Sequence, residues 1–168
     1  MMITTLFISV ISGVFASFSF YVFLRLLKPN IKISPKIARD KKEKIIKIKV
    51  VNLAKRDALD IRAELVLLVP KNVPNGIIYV RKPIELKKNY LMNLSKYSKQ
   101  DKNANYAFRF RANDSFIDDW SYNGQYLIFK LIAKDEVSGF SKVFVQKYFS
   151  KEDIIDGDFE MGISMEIK

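Results

Sequence analysis

From Ile3 to Leu24 the chain reads ITTLFISVISGVFASFSFYVFL, without one charged residue. Met1 and Met2 carry the uncharged run to the N-terminus, and Arg25 and Lys28 end it abruptly. A helix rises 1.5 Å per residue, so about 22 residues reach roughly 33 Å, against a hydrocarbon core of ~30 Å. The run predicts a single transmembrane helix within residues 1–27, with everything after it on one side of the bilayer. Three other readings compete. A cleavable signal peptide has a basic start, a shorter apolar core and a small-residue exit site. Here no Lys or Arg precedes the run, and Tyr21-Val22-Phe23-Leu24-Arg25 is no cleavage signature. A buried core helix would be shorter and keep a polar face. A lipoprotein signal needs a cysteine, and the chain has none.

The flanks set an orientation. Between Arg25 and Lys49 ten basic residues face only Asp40 and Glu43, whereas the N-terminal flank offers only the α-amino group. Lys/Arg-rich flanks stay cytoplasmic, so the N-terminus is expected outside and the C-terminal domain inside. That segment holds +8 of the net charge of +11, so the basicity is a local juxtamembrane feature. It accounts for the charge without a nucleic-acid partner, because such clusters attract anionic lipid at ~1 kcal/mol per residue near the surface. Arg25, Lys28, Lys32 and Lys36 are the candidate headgroup contacts, and membrane lipid is the first expected partner.

Within the helix, Ser9, Gly13 and Ser17 fall at i, i+4 and i+8. Small residues at this spacing let two helices approach closely, so they form the candidate helix-association face. A homo-oligomer or a protein partner is the second expectation.

Pro29 and Pro35 end the helix and favour extended backbone, so residues 28–43 read as a basic linker and 44–168 as the folded domain. About 120 residues make one domain with an adequate core. In it the periodicity is two. Ile46-Lys47-Ile48-Lys49-Val50 alternates apolar and basic, which predicts a strand with one face buried and lysines on the other. Leu59, Ile61, Ala63, Leu65, Leu67 and Val69 share a face in the next strand. Pro70-Lys71-Asn72-Val73-Pro74-Asn75-Gly76 is dense in turn formers, with Asn75-Gly76 suited to a tight turn, and leads to a strand from Ile77, closed by Pro83. A weaker strand follows over 86–94, then one through Tyr106, Phe108 and Phe110. Ser121-Tyr122-Asn123-Gly124 is a turn, Tyr126–Ala133 (YLIFKLIA) a central strand, and Phe140–Phe149 its hairpin partner across Val137-Ser138-Gly139. Ile163, Met165 and Ile167 alternate at the end, as an edge strand would. Seven or eight short strands without βαβ alternation predict a mainly β fold: an immunoglobulin-like β-sandwich behind one transmembrane α-helix.

The stretch IKVVNL…DALDIRAELVLL, residues 46–68, resembles the strand–turn–strand opening of adhesion-type immunoglobulin-like modules of the CARDB group. The matching positions are Asn52, Ala58, Asp60 and Ile61; Ala54 stands where that family commonly has Gly. The resemblance implies a β-sandwich and no active site. Behind a helix and a basic linker, the same stretch is also similar to the cytoplasmic sandwich of inward-rectifier potassium channels. With no second span, pore helix or Gly-Tyr-Gly filter, no channel function follows.

Chemistry is sparse. The chain has no His and no Cys, which removes the commonest general base, thiolate nucleophiles and Cys/His metal sites. No phosphate-cradling Gly motif is present. Asp114, Asp118 and Asp119 around Trp120, and Asp156-Gly157-Asp158, lack the ordered oxygen spacing of a calcium loop. No catalytic residue, metal or cofactor is expected. Arg109 and Arg111 share one strand face, and Arg62 and Arg81 are candidates for neighbouring strands; such a guanidinium cluster would bind a phosphate-bearing ligand. Charges on the solvent face of a sheet are the ordinary alternative. The sequence therefore predicts a non-enzymatic, membrane-anchored interaction or oligomerising module at the cytoplasmic face, in its sharpest form a membrane-perturbing defence effector. An envelope-facing domain in the opposite orientation is the second reading, and an enzyme relying on carboxylates the third.

Overall fold

The computed structural model describes residues 2–121 and 124–168. In chain order it forms α1 (Met2–Leu26), β1 (Ile31–Ile33), β2 (Ile37–Asp40), β3 (Ile45–Asn52), β4 (Ala58–Val73), β5 (Gly76–Ile84) and β6 (Tyr90–Leu94). After these come β7 (Ala107–Asn113), the single turn α2 (Phe116–Asp119), β8 (Tyr126–Asp135), β9 (Ser141–Tyr148) and β10 (Ile154–Asp156). The two central residues of the turn expected at 121–124, Tyr122 and Asn123, lie outside the described residues.

The helix has no polar stripe, and no residue over Ile8–Arg25 is buried against the sandwich. It is long and apolar enough to cross a membrane, a property that anchors and signal sequences share. Its end meets the β8–β9 turn: the Ser138 hydroxyl donates to the Leu27 carbonyl at 2.6 Å, and the Tyr21 and Phe140 rings pack edge to face.

Two sheets make the sandwich. In the first, β1 and β2 follow one another along one edge of β3, β7 occupies its other edge, and β10 adds parallel to β2. In the second, β4 is flanked by β8 on one side and by β5 and β6 in succession on the other, with β9 beyond β8. Counting β1–β2 and β5–β6 as interrupted single strands, strands one, two and five oppose strands three, four, six and seven. This is the immunoglobulin-like partition, with the fourth strand on the side of the third. Ile46, Ile48, Val50 and Phe110 of the first sheet close on Ile61, Leu65, Leu67, Leu127, Phe129 and Leu131 of the second. Trp120 and Tyr148 seal the rim, and the buried Tyr148 hydroxyl donates to the Ser34 carbonyl at 2.8 Å.

Four expectations shift. Residues 31–40, read as linker, already belong to the first sheet; only Ser34–Lys36, where Pro35 has no N–H to give, interrupt the edge. In the β4–β5 hairpin, residues 70–73, read as part of the turn, stay paired in β4 and leave only Pro74 and Asn75 between the strands, while β5 runs past Pro83 to Ile84, which an edge strand allows when the missing donor faces solvent. A bulge between Leu59 and Arg62, with Asp60 at φ 49°, slips the phase of β4, so Ala58 and not Leu59 enters the core. The final segment forms no full edge strand but a small hairpin. Asp158 and Lys168 exchange backbone hydrogen bonds, and Phe159 bridges Ile167.

Candidate functional site

That terminal hairpin decides the chemistry of the first sheet's outer face. The pleat of β3 sends Lys47 and Lys49 outward, as its alternation requires, yet both are buried, at 5% and 1% exposure. The expectation of a solvent face there is corrected: residues 158–168 lie across it. The register places Lys47 opposite Arg111 and Lys49 opposite Arg109. Like charges directly opposite one another destabilise a strand pair, so this face needs anions or carbonyls laid over it. The terminal strap supplies them. Lys47 donates to Asp158 at 2.8 Å and to Asp40 at 3.4 Å. Lys49 has no carboxylate partner among the described residues; its Nζ donates to the Glu160 and Ser164 carbonyls at 2.6 and 2.7 Å. Arg109 donates to the Phe159 carbonyl at 2.7 Å, and its Nε lies 3.6 Å from Asp158, buried and without a hydrogen-bond partner among the described residues.

The electrostatics follow. Burial, reinforced by Arg109, pulls Lys49 down to about 8, and Glu160 and Asp158 oppose this only in part. Burial pushes the Asp158 carboxyl up, but hydrogen bonds from Lys47 and the Phe159 amide, with Arg109 beside it, hold it below the usual range.

Beside the strap opens a cavity of about 420 Å³, lined by five cations: Lys49, Lys87, Lys88, Arg109 and Arg111. No carboxylate among the described residues lines it. Lys87 and Lys88 come from the β5–β6 connection, held there by the bridge of Leu86 to Ala112 and by the Lys87 amide donating to the Arg111 carbonyl. Phe108, whose ring packs on Phe110 and the core, reaches the lining with the Lys88 ammonium 5.9 Å from its ring centre, and Met161 and Gly162 of the strap also line the cavity.

The sequence-predicted residues distribute as follows. Arg109 and Arg111 share this cavity. Arg62 and Arg81 do not join them, because they belong to β4 and β5 of the other sheet, where they pair with Asp60 and Glu64. Arg25, Lys28 and Lys32 project into solvent, whereas Lys36 pairs with Asp153 at 2.8 Å. Ser9, Gly13 and Ser17 lie on the uncovered helix; the Ser17 hydroxyl donates to the Gly13 carbonyl, and nothing lies within 4 Å of where a Gly13 side chain would begin. Asp114 receives both Nε and Nη2 of Arg39 at 2.9 and 2.7 Å, a structural pair. Asp156 pairs with Lys41. No acidic cluster of metal-binding form occurs among the described residues. Sequence reasoning missed Lys49, Lys87 and Lys88; the signal for Lys49 was two strands of alternating cations, which cannot neighbour each other without a counter-charge.

No family model and no curated protein sequence matches the chain. Among solved structures, the periplasmic chaperone SfaE superposes with a TM-score of 0.44 at 9% identity, covering 76% of this chain. The chain spans about half of that protein, 56% of its length. A structural-genomics target, SoR45, superposes with a TM-score of 0.32 at 12% identity over 72% of this chain and 82% of its own. Neither likeness assigns a function.

Proposed function

We propose that the chain is a single-pass membrane-anchored, non-enzymatic interaction module, its sandwich held at the cytoplasmic face by α1. One observation carries this reading: an apolar helical wall from Ile8 to Arg25 that the sandwich leaves uncovered, with Phe15 71% exposed. A contiguous apolar surface of that extent needs lipid or another helix against it. The contact of Leu27 and Tyr21 with the β8–β9 turn favours an anchor retained beside its domain over a segment removed from it.

The orientation rests on the ten basic residues between Arg25 and Lys49. Topology is chosen as the chain inserts, before the strap covers Lys47 and Lys49, so all ten count. Contact with headgroups is a property of the folded surface, and there Arg25, Lys28 and Lys32 serve. The unfilled groove at Gly13, between Ser9 and Ser17, fits a second copy of the helix, which makes the module an oligomerising one. In its sharpest form, clustered helices disturb the bilayer as a defence effector does. The likeness of residues 46–68 to adhesion-type modules goes with the sandwich fold and brings no active site, and the cavity presents cations without an acid–base pair. Protease added to intact cells and to inverted membrane vesicles tests the reading. The sandwich is expected to be cut only in inverted vesicles; cutting in intact cells would move the domain to the envelope side.

A further inference from the structure

The cavity on the first sheet is under-neutralised. Asp158 answers Lys47 and stands beside Arg109, and carbonyls answer Lys49. Arg111, Lys87 and Lys88 have no ion-pair partner among the described residues, although they converge with Lys49 and Arg109 on one concavity. A guanidinium with a fixed fork matches a phosphate, and ammonium groups add charge without demanding direction. The volume falls within the ~300–1,000 Å³ of small-ligand sites. A monocarboxylate would leave most of the five charges unanswered. The charges are gathered in a hollow and are not spread as the stripe that a nucleic-acid backbone would require.

We propose that this cavity binds an anion carrying a phosphomonoester or pyrophosphate group, with Arg111, Lys87 and Lys88 as direct contacts. Arg109, fixed by the Phe159 carbonyl, keeps its fork aimed at the strap and shapes the wall. The inference stands on the sandwich alone and survives the loss of the membrane reading. Two sources share this chemistry. The cavity lining includes Ala104 and Ala107, beside the Asn52 end of β3, where Leu53 bonds back to Asn30 just after α1. A lipid headgroup can therefore approach it, as can a soluble organophosphate.

The test uses the full chain in phosphatidylcholine nanodiscs, with exposed lysines acetylated and read by mass spectrometry. Inorganic pyrophosphate in solution is one arm; phosphatidic acid in the disc is the other. Protection of Lys87 and Lys88 in the first arm identifies a soluble ligand, and protection in the second alone identifies a headgroup. Lys142, on the exposed β9, is expected to stay reactive in both. Arg111 is exposed, so Arg111→Gln should fold normally and weaken protection by about tenfold. Emission from the buried Trp120 checks that fold. Should it shift, Lys88→Gln read at Lys87 serves instead. The proposal is overturned if neither arm protects, if Lys142 is protected equally, or if the folded variant retains full protection.

Discussion

Lys49 is a buried ammonium held by carbonyls, and that makes its contribution to stability measurable. Its folded-state value of about 8 lies below the ordinary 10.5. Between those two values the unfolded chain binds more protons than the folded one, so stability rises with pH across that window. Below pH 8 the full penalty applies, ~3 kcal/mol from the two values. Between pH 7 and 9.5 about 2 kcal/mol of it is relieved by the same linkage. The strap's carbonyls and the buried methylenes offset the penalty, so the strand persists at neutral pH. Lys49→Met removes the titrating group while keeping an unbranched stem in the same slot. Subtracting the variant's curve from that of the unaltered protein cancels the pH dependence the two proteins share. The assay is urea unfolding of the full chain in neutral detergent at pH 7 and 9.5, followed through Trp120, the single tryptophan, which is 1% exposed. The unaltered chain should gain ~2 kcal/mol more than Lys49→Met over that interval. Equal gains in both proteins would refute the argument that the strap desolvates Lys49.

Gly13→Leu fills the small-residue face, so crosslinking of α1 between copies should fall to background while Trp120 emission is unchanged; undiminished crosslinking would remove that face as an association site. Gly157 sits at φ 135°, and a side chain there would press on the Lys168 backbone, so Gly157→Val should lift the strap at a cost of about 2 kcal/mol. Hydrogen exchange at the Asp158 and Lys168 amides would read this as faster exchange, and unchanged protection would contradict it.

Periodicity made most of the sandwich legible. The apolar run of β8, its return through β9 across Gly139 and the Asn75-Gly76 turn are local patterns, and each formed where the pattern placed it. What alternation cannot tell is what covers the other face. Lys47 and Lys49 read as solvent-facing because the strap that buries them arrives 111 and 115 residues later. The bulge at Asp60 is a single αL residue inside an otherwise regular pattern, and its one-residue slip leaves no compositional trace. β1 and β2 were hidden because two short segments around Pro35 have too little length to show a period. Of the basic cavity, Arg109 and Arg111 were visible as a pair on one strand. Their meeting with Lys49, Lys87 and Lys88 depends on strand order, which the charges alone do not specify.

The membrane reading of this chain turns on lipid covering α1. Membranes from cells making the full chain, washed in alkaline carbonate and then extracted with a mild detergent, decide it. The account predicts that the protein stays in the carbonate pellet and enters solution only with detergent. Release of the intact chain by carbonate, or its recovery in the soluble fraction after cell breakage, would contradict it.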